Sequence, residues 1–254
     1  MNHFSLTGKT AMVTGASRGI GLGVARALSE SGASLILVAR SSEMLRQAAD
    51  DLKKANVEVS TSSFDLLDTN GIASWYEECA AKFGQPDILV NVAGMSVRGA
   101  ATDLQLSDWN KVLSLNVTSV FELSRSFARR LIQEKRKGKV VNIASLMSAA
   151  ARYGTSAYTA SKGAVGQLTK ALAIDWAANG ILVNAIAPGY VNTELTQPLV
   201  TDSAFDEWVK KRCPLGRWAK PEDIAWPVVF LASPASDFIT GQIIYVDGGW
   251  LATF

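Results

Sequence analysis

The sequence predicts a doubly wound parallel α/β sheet, built as one three-layer αβα domain over residues 1–254. Three observations lead there. Short, continuously apolar runs recur along the chain, as strands buried on both faces require. Segments of helical periodicity separate them, and right-handed crossovers turn that alternation into a parallel sheet covered on both sides. No repeat, linker or low-complexity stretch marks a second domain, and 48% hydrophobic with 19% charged residues suits a chain burying a substantial core.

The first strand is expected over residues 9–14, ending at a glycine, with a helix over 19–31. Strands over 35–39, 57–62 and 88–92 then alternate with helices over 42–55 and about 69–83. One long helix is expected from 107 to about 134, with Asp108 in its first turn. A strand over 140–144, a helix carrying Tyr158 to about 179 and a strand over 182–187 follow. A helix over 221 to about 232 and a strand over 242–246 close the series. Pro221 opens its helix without wasting an amide, and Glu222 and Asp223 face the positive dipole end. Residues 192–216 are polar and poorly periodic, long enough for a lid or substrate loop.

Inventory excludes several classes. The net charge is 25 − 23 = +2 without a long basic run, so nucleic acid is not an expected partner. The densest basic stretch, 133–139, reads as a solvated helix end. A single histidine, His3, leaves no histidine triad or zinc site, and no metal is expected. Cys79 and Cys213 match no metal or redox spacing and point to a reducing compartment. With no apolar run of membrane-spanning length and no signal-peptide pattern, a soluble cytoplasmic protein is expected.

Chemistry concentrates between residues 142 and 162. Ser145 ends an apolar strand, small residues follow, and Tyr158 and Lys162 stand one helical turn apart, hence on one face. A phenol beside an ammonium, faced by a hydroxyl, is a proton-transfer device; the same spacing also occurs as a solvated pair on helix surfaces. Gly15, Ser17, Arg18, Gly19, Ile20 and Gly21 form a glycine turn between the first strand and helix. Such a turn lets the backbone approach a pyrophosphate at a helix N-terminus, or is simply a tight turn. The second strand ends without a carboxylate, at Ala39, followed by Arg40 and Ser41. With Arg18 these groups suit a 2′-phosphate, hence NADP(H) as cofactor; the alternative is two surface arginines. Asp65, with Leu66 beside it, could accept from the adenine amino group or serve as a plain turn residue. Asn91, Ala93 and Gly94 end the fourth strand with little bulk, where a cofactor could lie against the backbone.

These residues resemble the short-chain dehydrogenase/reductase superfamily over essentially the whole chain. The resemblance is carried by T-G-A-S-R-G-I-G at 14–21, N-V-A-G at 91–94, Asn116, Ser145 and Y-T-A-S-K at 158–162, with P-G at 188–189 and Y-V-D-G-G at 245–249. Val92 replaces the second asparagine common in the family, which puts nothing catalytic in doubt. The resemblance implies a Rossmann-type subunit, usually in homotetramers, with Asn116, Ser145, Tyr158 and Lys162 as the catalytic set. Tyr158 exchanges the proton, and an unperturbed phenol titrates near ~10, so Lys162 is expected to move it toward working pH while holding the nicotinamide ribose. Ser145 would bond the substrate oxygen, and Asn116 would steady a water chain behind the lysine. Pro188, Gly189, Val191 and Thr193 match the family positions around the carboxamide.

Within the superfamily, A-A-R at 150–152, F-D-E-W-V-K at 205–210, R-W at 217–218 and the tail at 241–252 resemble gluconate 5-dehydrogenases (5-keto-gluconate reductases). Arg98 and Arg152 lie in loops opening on the substrate side and would match a sugar-acid carboxylate, or are solvated loop arginines. A 3-oxoacyl-carrier-protein reductase is the alternative, with Arg125, Arg129 and Arg130 available to an acidic partner or to a subunit interface. A nucleotide-binding sensor without catalysis is the non-enzymatic alternative; the presence of all four catalytic groups argues against it.

Overall fold

The computed structural model describes residues 2–52 and 57–253. Seven strands, β1 (Thr10–Thr14), β2 (Ser34–Ala39), β3 (Val59–Ser63), β4 (Ile88–Asn91), β5 (Gly138–Ile143), β6 (Ile181–Pro188) and β7 (Ile243–Val246), form one sheet in the order β3-β2-β1-β4-β5-β6-β7. Every pairing in it is parallel. The helices are α1 (Gly19–Glu30), α2 (Ser42–Leu52), α3 (Ile72–Phe83), α4 (Leu106–Leu113), α5 (Ser119–Gln133), α6 (Ser156–Trp176), α7 (Gln197–Val200), α8 (Ser203–Arg212) and α9 (Pro221–Ala232). The expected end of the second helix at Ala55 lies outside the described residues.

Both faces of the sheet are covered, as the continuously apolar strands require. Successive residues point to opposite sides. Leu35 and Leu37 of β2 join Val24, Leu28 and Val228 in one apolar layer under α1 and α9. Ile36 and Val38 join Tyr76, Phe127 and Leu172 in the other, under α3, α5 and α6.

Three expectations are corrected. The long helix over 107–134 is α4 and α5 joined by a π-turn, Ser114–Thr118, because the chain takes up an extra residue there and buries Asn116. The loop over 192–216 contains α7 and α8. Asp202 caps α8, its carboxylate accepting from Ala204 N and Phe205 N at 3.1 Å each, while Lys210, Lys211 and Arg212 occupy the last turn. The basic stretch is not merely solvated either. Arg136 donates to Asp87 at 3.0 Å, and Lys139, on β5, donates to Ser236 Oγ at 2.9 Å and pairs with Asp237 at 2.7 Å.

Candidate active site

The strand order reverses between β1 and β4, because the chain leaves β3 at one edge and re-enters on the far side of β1. In such sheets the crevice beyond the strand ends at that point is the ligand site. Thr14 ties it together: its Oγ1 accepts from Val92 N at 2.9 Å and Ala93 N at 3.1 Å. Gly15 has φ +63°, and a Cβ on it would lie 3.1 Å from the Ala93 backbone. A side chain there would fill the crevice, so glycine keeps it open to a flat ligand.

The remaining nucleotide-binding candidates surround that crevice. Arg18 is the N-cap residue of α1 and makes no side-chain cap, so the first amides of the helix are not taken by it. Ser17, Gly19 and Ile20 are half-buried and Gly21 is buried in the first turn. Arg40 and Arg18 are both exposed, after the ends of the paired strands β2 and β1. Ser41 Oγ accepts from Met44 N at 3.3 Å, while Ser63 Oγ holds the Arg40 carbonyl at 2.7 Å. Asp65 is exposed, with its carboxylate accepting from Leu67 N at 3.0 Å; Leu66 is buried in the core. The Asn91 side chain turns inward, donating to Ser124 Oγ at 3.0 Å and Asn142 Oδ1 at 2.9 Å, so only its main chain is left to face a cofactor. Beyond β6, Gly189 N donates to Val246 O at 3.0 Å, following Pro188. Thr196 Oγ1 closes the next turn, accepting from Thr193 N at 2.9 Å and donating to Val191 O at 2.6 Å. Thr193 overhangs the glycine turn, since a Cβ on Gly19 would lie 3.4 Å from its methyl. An open cradle, uncapped helix amides and two exposed guanidiniums fit an NADP-type dinucleotide.

Two of the four catalytic candidates meet beside Gly94, on which a Cβ would lie 3.2 Å from Asn116 Oδ1 and 3.8 Å from Lys162 Nζ. Ser145 follows β5 after Ala144, and its Oγ accepts from Met147 N at 3.2 Å in a short 3-10 turn. Tyr158 and Lys162 lie one turn apart on α6, with Lys162 Nζ 5.7 Å from the centre of the Tyr158 ring. Lys162 is buried, and its Nζ donates to Ile143 O at 2.6 Å. Burial lowers its pKa to about 8. Burial also pushes the Tyr158 phenol up, against a hydrogen bond with Ser145 and the charge of Arg98. Ser145 and Arg98 both favour the phenolate here, while the Lys162 ammonium, close to the ring, is held on the β5 carbonyl. Asn116 spends its amide on the protein. Its Oδ1 accepts from Met95 N at 2.9 Å, and its Nδ2 donates to Met95 O at 2.9 Å and Ser161 Oγ at 3.0 Å. One Oδ1 lone pair remains for the expected water.

Arg98 and Arg152 come together. Gly99 N donates to Gly154 O at 3.1 Å, zipping their loops. The Arg98 pKa is lowered by burial and then by the Arg152 charge, with Tyr190 and Tyr158 acting the other way. Arg152 lies 5.0 Å over the Phe205 ring. The sequence reading missed the aromatic box beside them. Tyr190 packs against Trp250 at 4.9 Å, Trp218 at 5.5 Å, Phe205 at 5.7 Å and Trp208 at 5.9 Å. Its signal was its place directly after Pro188 and Gly189. Among the described residues no cluster of His, Cys, Asp or Glu is placed to hold a metal, and no helix is long and apolar enough to cross a membrane.

A family model described as enoyl-(acyl carrier protein) reductase matches residues 15–251. Gluconate 5-dehydrogenase of Gluconobacter oxydans (strain 621H) is 43% identical over 252 residues, 98% of each chain. A 2-dehydro-3-deoxy-D-gluconate 5-dehydrogenase of Dickeya dadantii (strain 3937) is 40% identical over 99% of each. The crystal structure of a gluconate 5-dehydrogenase from Burkholderia cenocepacia J2315, in complex with NADP and tartrate, has a TM-score of 0.96 and 38% identity, over 100% of this chain and 99% of that one. With the glycine turn, the tyrosine–lysine helix and these whole-length matches together, the chain belongs to the short-chain dehydrogenase/reductase family.

Proposed function

We propose that the protein is an NADP(H)-dependent oxidoreductase interconverting a secondary alcohol and a ketone on a sugar acid of the gluconate/5-keto-gluconate type. The observation that carries this reading is the convergence of Ser145, Tyr158 and two arginines beside an open dinucleotide cradle. When bound, the nicotinamide supplies or accepts the hydride. Gly15, Gly19, Gly94 and the first amides of α1 would hold the pyrophosphate and let the nucleotide lie flat. Arg18 and Arg40, with no carboxylate ending β2, favour the 2′-phosphate. Tyr158 gives its proton to the carbonyl oxygen in reduction and takes it back in oxidation, while Ser145 bonds that oxygen as charge grows on it. Lys162 keeps a buried positive charge under the ring below pH 8 or so. Asn116 fixes the Met95 loop beside them.

Arg98 and Arg152 supply the carboxylate site. The tartrate held by the Burkholderia relative, a hydroxy acid, supports that assignment. The basic face proposed for a carrier protein has less support, because Arg125 pairs with Glu122 and Arg130 pairs with Glu77 and Glu134. A homotetramer in the cytoplasm is the expected form. Apolar side chains left exposed on α5 and α6 (Phe121, Ile132 and Ile174) and the free cysteines support it, and light scattering on the purified protein tests the assembly.

The decisive experiment is NADPH oxidation with 5-keto-gluconate, an acyl-carrier-protein substrate and a neutral ketone, on the parent and Y158F. We expect the keto acid to be reduced fastest, and Y158F to bind NADPH normally while losing about a hundredfold or more in kcat. Parent-like turnover by Y158F would refute the acid–base assignment.

A further inference from the structure

Arg152 is held unusually for a loop arginine. Its main-chain carbonyl accepts from Thr155 Oγ1 at 2.7 Å, fixing it at the entrance to α6. Its guanidinium lies 5.0 Å over the Phe205 ring, a residue of the lid helix α8. The Phe205 ring is itself wedged against Trp208 at 5.2 Å and edge-on to Tyr190 at 5.7 Å, so it has a definite plane. The Nε of Arg152 is buried with no hydrogen-bond partner among the described residues. Stacked on that ring, the guanidinium would present its N–H groups in a plane parallel to the ring. An unpaired buried N–H is costly, and a carboxylate oxygen approaching in the plane satisfies it.

We propose that Phe205 is a specificity-determining positioning residue, whose ring orients Arg152 so that its free Nε edge meets the substrate carboxylate. The proposal rests on the reading of Arg152 as a carboxylate ligand, and goes beyond it by making the lid helix part of the carboxylate site. Tyr190 closes the other side, half-buried beside Arg152 and Arg98, whose charges and a hydrogen bond from Arg152 oppose the effect of burial on its phenol. Selectivity for acids over neutral ketones then depends on α8 being docked, since undocking would release the guanidinium to water.

Steady-state kinetics at saturating NADPH test this with a keto acid and its neutral amide, on the parent, R152A, F205L and F205W. R152A should raise KM for the acid far more than for the amide. F205L should raise KM for the acid about thirtyfold, the scale of a desolvated cation–π contact, with kcat and the amide's KM within about twofold. F205W, which retains a ring, should stay within about threefold of the parent on both substrates. If F205L lowers the melting temperature, F205M, which keeps bulk without a ring, should give the same split. Equal rises in KM for acid and amide in the position-205 variants would overturn the proposal and leave Phe205 with a packing role only. A selective R152A beside a silent F205L would overturn the proposal while sparing the clamp. A non-selective R152A would overturn both.

Discussion

Lys162 is the residue at which the proposed chemistry meets a folding cost. Its ammonium is buried and donates to Ile143 O, and burial lowers its pKa from 10.5 to about 8. Between those values the unfolded chain binds more protons than the folded one, so this group makes stability rise with pH from about 8 to about 10. Below pH 8 the burial cost is present in full. K162M removes the titration, so its stability relative to the parent should fall by about 2 kcal/mol on going from pH 7 to pH 10, as measured by urea unfolding at each pH. No change in the difference between the two proteins would show that the amine is not buried in its charged form. Reduction should likewise decline above about pH 8 as Lys162 loses its charge, a midpoint readable in the kcat/KM profile. At this scale the chemical identities were legible, because Tyr158 and Lys162 share a helix face at any register. What they bond was not: the turn of Nζ onto Ile143 depends on β5 lying against α6.

Elements were legible where their apolar period was strong and illegible where packing supplied the reason for them. The segment around α8 is the clearest case. The stretch around α8 is polar in sum, but Asp202 caps it and Asp206 and Lys210 pair across a turn at 2.6 Å. Those two local signals identify a helix once its aromatic residues are known to face Tyr190 and Trp250. D202A should weaken α8 by about 1 kcal/mol, the usual worth of an N-cap. Because α8 carries Phe205, we expect D202A to raise KM for the keto acid with little change in kcat, checked by the same kinetics; an unaltered KM would separate α8 from the proposed substrate site. The π-turn is the opposite case. No composition marks it, and it exists because the Asn116 amide must reach the Met95 backbone across a packed interface.

For the whole molecule, the sheet order decides where the ligand goes. The reversal between β1 and β4 opens a crevice that a dinucleotide would bridge, tying the glycine turn to β4 and to the loop after β6. NADPH should therefore raise the melting temperature, by the equivalent of about 2.7 kcal/mol at a hundred times its Kd, and more than NADH at equal concentration. R40D should reduce the gain from NADPH and increase that from NADH, because a carboxylate there repels the 2′-phosphate and accepts from a ribose hydroxyl. Equal shifts with both nucleotides in the parent would remove Arg40 from the preference. By itself the sequence determined the alternation of strands and helices, the dinucleotide turn and the tyrosine–lysine pair, since each is written in contiguous residues whose spacing has only one local geometry. Only the tertiary structure decided that Asn116 clamps a loop, that Ser145 and Arg98 join Lys162 beside the phenol, and that Phe205 lies against Arg152. Those contacts join residues far apart in the chain, and long-range packing, not local spacing, chooses their partners.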